Sequence, residues 1–175
     1  MRRAWLGMVL VLLGAVLLLR AILTPRAATA VGQARVIDAD TLEIGNRRIR
    51  LLGVDAPEHG QICRDETGEG WPCGAQARLA LTDFLERHAV SCQIAGRDRY
   101  DRNLGHCALE GADLGDWLVR HGWAIPYGDG EGTYEAARRE AEAGRKGLWI
   151  GTFDPPSAWR RTHASTSYNK DRRTP

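Results

Sequence analysis

The sequence predicts a small α+β domain that is mainly β, a barrel of short strands carrying three helices, and three observations lead there. Five or so short runs of β-forming residues are bounded by turn signals, three segments with helical spacing lie between and after them, and 175 residues allow one ordinary core with appendages. No internal repeat suggests a solenoid or a propeller.

Ala34 to Ile44 reads as a strand, Gly45-Asn46 as a turn, and Arg48 to Val54 as the strand that continues an N-terminal hairpin or meander. Gly74 to His88 lacks breakers, and Ala77, Ala80/Leu81 and Phe84/Leu85 recur at helical spacing. Val90 to Ile94 and Leu104 to Leu109 form two further strands, joined through Arg97-Asp98-Arg99-Tyr100-Asp101-Arg102. Asp113 is placed to cap a short helix whose Leu114, Trp117 and Leu118 share a face and which ends at Gly122. A third helix, Thr133 to Ala143, closes at Gly144. From Ser165 onward the chain is polar and is expected to be disordered. These boundaries give a leader or anchor at 1–30, a domain at 31–160 and a basic tail at 161–175.

Charge is unevenly spread. Residues 1–30 hold Arg2, Arg3, Arg20 and Arg26 with no acid, whereas residues 31–159 carry 15 basic and 21 acidic side chains, a net of −6. A domain of that balance does not hold a polyanion by bulk attraction, so an anionic substrate requires local arginines or a bound cation. Residues 160–175 add five basic residues against Asp171.

Met1-Arg2-Arg3 precedes the uncharged run Ala4 to Leu19, and Ala28-Thr29-Ala30 follows as an A-x-A site. That pattern fits a secretory signal; an uncleaved membrane anchor from Trp5 to Thr24 fits equally well. Both place the domain outside the cytoplasm, because Arg2 and Arg3 stay inside. Outside the cytoplasm an even cysteine set favours disulfides. Cys63 and Cys73 bound one Gly-rich loop and Cys92 and Cys107 lie across a hairpin, so these are the expected pairs. The rival is zinc on His59, Cys63 and Cys73, which lacks a clear fourth ligand.

Two polar clusters carry the chemistry. In the first, Asp38, Asp40, Asp55 and Glu58 lie with Arg50 among hydrophobic residues, where unpaired charge is costly. Asp40 and Asp55 are hard oxygen ligands suited to Ca²⁺ or Mg²⁺, to which a backbone carbonyl after Asp55 could add; the bland alternative is turn acids facing solvent. The second is the charged turn Asp98 to Arg102, which taken alone is a solvated turn. Together, Arg50 and Arg102 could grip a phosphate from two sides. The five histidines, His59, His88, His106, His121 and His163, show no metal or triad spacing and are expected in surface or packing roles.

Val36-Ile37-Asp38-Ala39-Asp40-Thr41, Ile49 to Glu58 (Ile-Arg-Leu-Leu-Gly-Val-Asp-Ala-Pro-Glu), Asp98 to Arg102, Leu118 to Ala124 and Gly147-Leu148-Trp149 follow in order. This series resembles the staphylococcal nuclease (thermonuclease-like) family over roughly residues 33–160. The resemblance implies an OB-fold five-stranded barrel with three helices and a Ca²⁺-dependent phosphodiesterase acting on DNA or RNA, with Mg²⁺ or Mn²⁺ as other candidate ions. It further implies Asp40, Asp55 and the carbonyl of Ala56 as metal ligands and Arg50, Glu58 and Arg102 as catalytic residues. Arg99, Tyr100 and Tyr127 are implied as nucleotide contacts. Three features depart from the family pattern: Asp101 stands where many members have Gly, the His59 to Trp71 loop is an elaboration beside Glu58, and the core is acidic. The expected partners are nucleic acid as substrate and, if the leader is uncleaved, a membrane, the protein being a monomer. The alternative within the same fold is an OB barrel that binds single strands without cutting them.

Overall fold

The computed structural model describes residues 28–171, with side chains through His163. Residues 1–27, which hold nearly all of the expected signal or anchor, and 172–175 lie outside the described residues. Among the described residues no helix is long and apolar enough to cross a membrane.

The core is a closed five-stranded barrel, the OB-type architecture that the resemblance implies. Strands β1 (Ala28–Asp38), β2 (Thr41–Ile44) and β3 (Arg47–Leu51) form an antiparallel meander, and β7 (Ala89–Arg97) and β8 (Asn103–Leu109) form a hairpin. β7 pairs with β1, and β8 closes the barrel by running parallel to β3, Arg50 opposite Leu104. Closure removes the free edges that an open sheet of this size exposes. Alternate residues turn inward, so Leu42, Ile49, Val90 and Leu109 meet at the centre while their neighbours face out.

Short pieces complete the chain: β4 (Val54–Asp55) pairs with β10 (Ile125–Pro126), β5 (Cys63–Arg64) with β6 (Gly70–Trp71), and β9 (Ala112–Asp113) extends β8. The helices are α1 (Cys73–Leu85), α2 (Leu114–Arg120), α3 (Gly130–Thr133), α4 (Glu135–Ala143) and α5 (Pro156–Asp171). Leu81, Leu114 and Leu118 on two of them are fully buried against the barrel. Asp113 caps α2 as expected, its Oδ1 accepting from the Asp116 N–H at 2.8 Å.

Several expectations need correction. Arg48 to Val54 is not one strand, because β3 ends at Leu51 and Gly53 turns the chain into β4, and the third expected helix starts at Glu135, Thr133 being the end of the separate short α3. The run Ala34 to Ile44 is two strands, because a tight turn at Ala39-Asp40 folds β2 back on β1 with Asp38 opposite Thr41. β-forming residues continue on both sides of that turn, and it carries no Gly to signal it. α1 stops at Leu85 instead of His88, because Glu86 and Arg87 adopt left-handed φ of 40° and 68° and turn the chain into β7. β1 begins at Ala28, three residues before the expected domain start, with Ala30 buried opposite Cys92. Finally, α5 runs through the expected boundary at 160 and into the segment expected to be disordered. Pro156 opens it, suited to a first helical position, and the Ala158 and Trp159 N–H groups both donate to the Pro155 carbonyl.

Both expected disulfides are present, Cys63–Cys73 and Cys92–Cys107, and no described cysteine is left free for zinc. Cys92 and Cys107 sit directly opposite each other in the β7–β8 register.

Candidate active site

Asp40 occupies the β1–β2 turn, where its carbonyl accepts from the Leu51 N–H at 2.8 Å. Its side chain is buried, and three kinds of donor reach it: the Thr41 hydroxyl at 2.9 Å, the Ala56 N–H at 3.2 Å and Arg50 Nη1 at 2.8 Å. Arg50 stands opposite Thr41 on β3, which aims its guanidinium at the same place. Its Nη2 donates to Asp55 Oδ1 at 2.7 Å. One arginine thus joins two acids that are 4% and 0% exposed, one in the β1–β2 turn and one on β4. Burial pushes the Asp40 carboxyl above its ordinary value, more than Arg50 and the Ala56 and Thr41 bonds pull it down. Asp38 is raised as well, first by burial and then by the Asp40 charge.

Gly53 allows Asp55 to return so soon after Arg50. It turns the chain at φ 77°, and a Cβ there would lie 2.9 Å from the Tyr134 ring and 3.0 Å from the Gly130 Cα.

Glu58 is held through its backbone. The Gln61 N–H donates to the Glu58 carbonyl at 2.8 Å, the Glu58 N–H donates to Gln61 Oε1 at 3.3 Å, and buried Gln61 Nε2 donates to the Asp154 carbonyl at 2.7 Å. The start of α1 presses on the same turn: a Cβ on Gly74 would fall 1.7 Å from the Glu58 carbonyl oxygen. The Cys63–Cys73 bridge ties the loop to that helix start.

The Glu58 carboxylate meets a residue that the sequence reading leaves without a role at the domain's last position. Arg160 Nη1 donates to Glu58 Oε1 at 2.8 Å and to Asp55 Oδ1 at 2.9 Å, and its Nη2 donates to Asp55 Oδ2 at 3.1 Å. Although burial would lower it, the bonds to Asp55 and Glu58 raise the guanidinium's pKa, so it stays charged.

The β7–β8 turn supplies the opposite sign on its outer surface. Asp98 Oδ1 accepts from the Tyr100 and Arg102 N–H groups at 2.8 and 3.0 Å, and its Oδ2 takes Arg102 Nε at 2.7 Å. Burial would raise Asp98, but these bonds hold it below its ordinary value. The Arg99 and Arg102 guanidinium carbons lie 4.9 and 5.5 Å from the centroid of the exposed Tyr100 ring. Asp101 takes φ 61° and pairs with Arg97, so its charge is engaged outside the cleft.

These pieces surround one open cleft of about 1190 Å³. Arg50, Glu58, Arg99, Tyr100, Arg102 and Tyr127 all line it, as does Asp40, while Asp55 lies under Arg50 and Arg160. None of residues 59–72 lines it, so the elaborated loop props Glu58 from behind. The candidate metal donors, Asp40, Asp55 and the Ala56 carbonyl, are all hard oxygens, and the Ala56 N–H bond holds that stretch of backbone beside Asp40. Among the described residues no group of three or more His, Cys, Asp or Glu side chains is gathered to hold a metal. A cation on the two aspartates therefore needs main-chain oxygen and water besides.

The sequence profile described as staphylococcal nuclease homologue matches residues 48–151, more than half of the chain. The chain belongs to that family. Among relatives of this nuclease homologue, a succinoglycan biosynthesis protein of Rhizobium meliloti (strain 1021), ExoI, is 41% identical over 126 residues, 70% of this chain and 66% of that protein. A probable staphylococcal-like nuclease of Oryza sativa subsp. japonica is 31% identical over 65% of this chain and 32% of its own length. An uncharacterized endonuclease of Escherichia coli O157:H7 is 29% identical over 72% of this chain and 81% of its own. The chain thus spans from about a third to two thirds of the first two of these relatives.

The family profile stops at Gly151, before Arg160. One signal for that arginine was available in the sequence: Asp40, Asp55 and Glu58 bring three negative charges and Arg50 only one positive, so a second cation has to reach the cluster. The sequence could not say which of the chain's many arginines it is.

Proposed function

We propose that this chain is a divalent-cation-dependent nuclease that hydrolyses phosphodiester bonds of DNA or RNA, with Ca²⁺ as the expected ion. The observation that carries the reading is the joining of buried Asp40 and Asp55 by Arg50 on the floor of a cleft whose rim holds Glu58 and Arg102. A bound Ca²⁺ would supply Lewis-acid polarisation of a phosphate oxygen and orientation of water. Asp40, Asp55 and the Ala56 carbonyl would hold it. Glu58, 28% exposed on a turn locked by Gln61, accepts the proton of the attacking water. Arg50 and Arg102 donate N–H groups to the oxygens on which charge builds, Arg102 being aimed by Asp98.

The test is cleavage of single-stranded DNA, double-stranded DNA and RNA by the purified chain with Ca²⁺, Mg²⁺ or Mn²⁺ and with chelator. Glu58→Gln is expected to lower kcat by about 100-fold or more while substrate still binds. Folded protein that cleaves nothing with any ion, yet binds single strands with salt-dependent affinity, refutes the enzyme and leaves the binding module.

The same reading places the domain outside the cytoplasm. Two disulfides support an oxidising compartment, and Arg2-Arg3 before the apolar run supports outward orientation. Ala28, Thr29 and Ala30 pair with Ile94, Gln93 and Cys92, so cutting after Ala30 would strip three paired residues from β1. That favours an anchor, or a cut upstream of Ala28. A C-terminal reporter active only outside the cytoplasm, with mass spectrometry of the N-terminus, checks both points: an inactive reporter on a stable fusion refutes the location, and Val31 as first residue refutes the preference.

A further inference from the structure

Helix α5 does more at the cleft than deliver Arg160. Trp159 and His163, one turn apart on it, stack face to face with centroids 4.0 Å apart and planes 10° from parallel. Both rings line the cleft, together with Arg161. His163 Nδ1 lies 2.9 Å from the Trp159 carbonyl, a second tie that fixes the imidazole against the indole. The rotation of the helix is set independently, because Arg160 is bonded to Asp55 and Glu58. With Arg160 anchored there, the adjoining side chains Trp159 and His163 are kept along the cleft wall.

Two features show what such a wall receives. The cleft, at about 1190 Å³, exceeds the roughly 300–1,000 Å³ that holds a single small ligand, so more than one nucleotide fits. Arg48, Arg99 and Arg161 line it beyond the arginines of the acid centre, which suits a polyanion with several phosphates. A stiff aromatic surface beside basic side chains is the recurrent design for holding unpaired bases without sequence preference, since every base has a π-face.

We infer that the Trp159–His163 stack is a second base-binding platform, distinct from Tyr100, on which a single-stranded nucleic acid lays a base while Arg161 meets its backbone. The inference rests on the nuclease reading for the identity of the ligand. Its consequence is that the strand is held by nucleotides at two separate aromatic stations, Tyr100 on the β7–β8 turn and Trp159 on α5. Chains of several nucleotides are then preferred over a mononucleotide ester.

The experiment compares the full chain with Trp159→Ala, His163→Ala and Trp159→Phe on a single-stranded 12-mer and on a chromogenic mononucleotide phosphodiester. Trp159→Ala should raise the KM for the 12-mer by about 5- to 150-fold, the range expected for loss of one base stack, and Trp159→Phe should recover most of it. The ratio of kcat/KM on the 12-mer to that on the ester should fall by a similar factor. His163→Ala should act in the same direction and more weakly. Equal losses on both substrates, or no loss on the 12-mer, overturn the platform. Binding of a fluorescent 12-mer in chelator, read by anisotropy with the same variants, separates this outcome from failure of the nuclease reading. If the wild type cleaves nothing, weaker binding by Trp159→Ala still upholds the platform, and unchanged binding still refutes it. Circular dichroism excludes misfolded variants, and His163→Ala, whose ring is exposed, keeps the test open if Trp159→Ala fails to fold.

Discussion

Asp40 on the cleft floor and Glu135 and Glu140 on the α2–α4 surface are all paired with arginine, yet their pKa values move in opposite directions. Asp40 is pushed up by burial despite Arg50. Glu140, bonded to Lys146 and Arg120, and Glu135, bonded to Arg138, are pulled down. The pairing chemistry is alike, and what differs is water. On the surface both charges keep their hydration, so the bond is a small gain that salt screens. In the cleft hydration has been removed, and the arginine only partly replaces it. The floor therefore favours a further positive charge, whereas the surface network is self-sufficient.

The sharpest break of this comparison removes the shared partner. Arg50→Leu leaves Asp40 and Asp55 buried without their common guanidinium and is expected to destabilise by about 3–5 kcal/mol, read by urea unfolding, together with loss of cleavage. A change below about 1 kcal/mol would mean that the floor is as well solvated as the surface. Next comes the covalent constraint inside the β7–β8 hairpin. Replacing Cys92 and Cys107 by Ala is expected to cost about 2–4 kcal/mol, and peptide mapping without reduction should recover both pairs; four free thiols would refute them.

Arg160 is intermediate, charged and hydrogen-bonded to the floor but 36% exposed. Arg160→Gln should cost about 1–2 kcal/mol after allowance for solvent, with a milder salt dependence than any surface pair. A cost equal to that of Arg50→Leu would place it among the fully buried charges instead.

The turn at Asp98 sharpens the contrast by its pH dependence. Its carboxyl is lower in the folded protein than its ordinary 3.8, so the unfolded chain binds the proton first as pH falls. The stability it contributes is complete above the ordinary value and is lost as pH drops through the lower, folded one. Asp98→Asn should flatten that acid limb in unfolding curves recorded from neutral pH downward, and an unchanged limb would count against the Arg102 pairing. Last and smallest, Arg120→Ala on the surface should leave the thermal midpoint within experimental scatter, although it breaks bonds to Asp116 and Glu140.

What the sequence determined by itself was local. The Arg50 to Glu58 stretch spaces an arginine, a left-handed glycine and two acids closely enough for one turn to bring them together. Asp113 caps the helix that starts at the next residue, and Cys92 and Cys107 belong to neighbouring strands of one hairpin. Each of these is set by a few consecutive residues or by a period of two. The turn at Ala39-Asp40 escaped because β-forming residues flank it on both sides. Only the tertiary structure decided the rest: the parallel β3–β8 pairing that closes the barrel, and the arrival of Arg160 at Asp55 from 105 residues away. Trp159-Arg160-Arg161 reads locally as the junction of the domain with a basic tail, since its meaning depends on charge that the fold has buried elsewhere. No property of a short window reports which distant group will be desolvated, and that is why the acids of the site were legible and the helix that faces them was not.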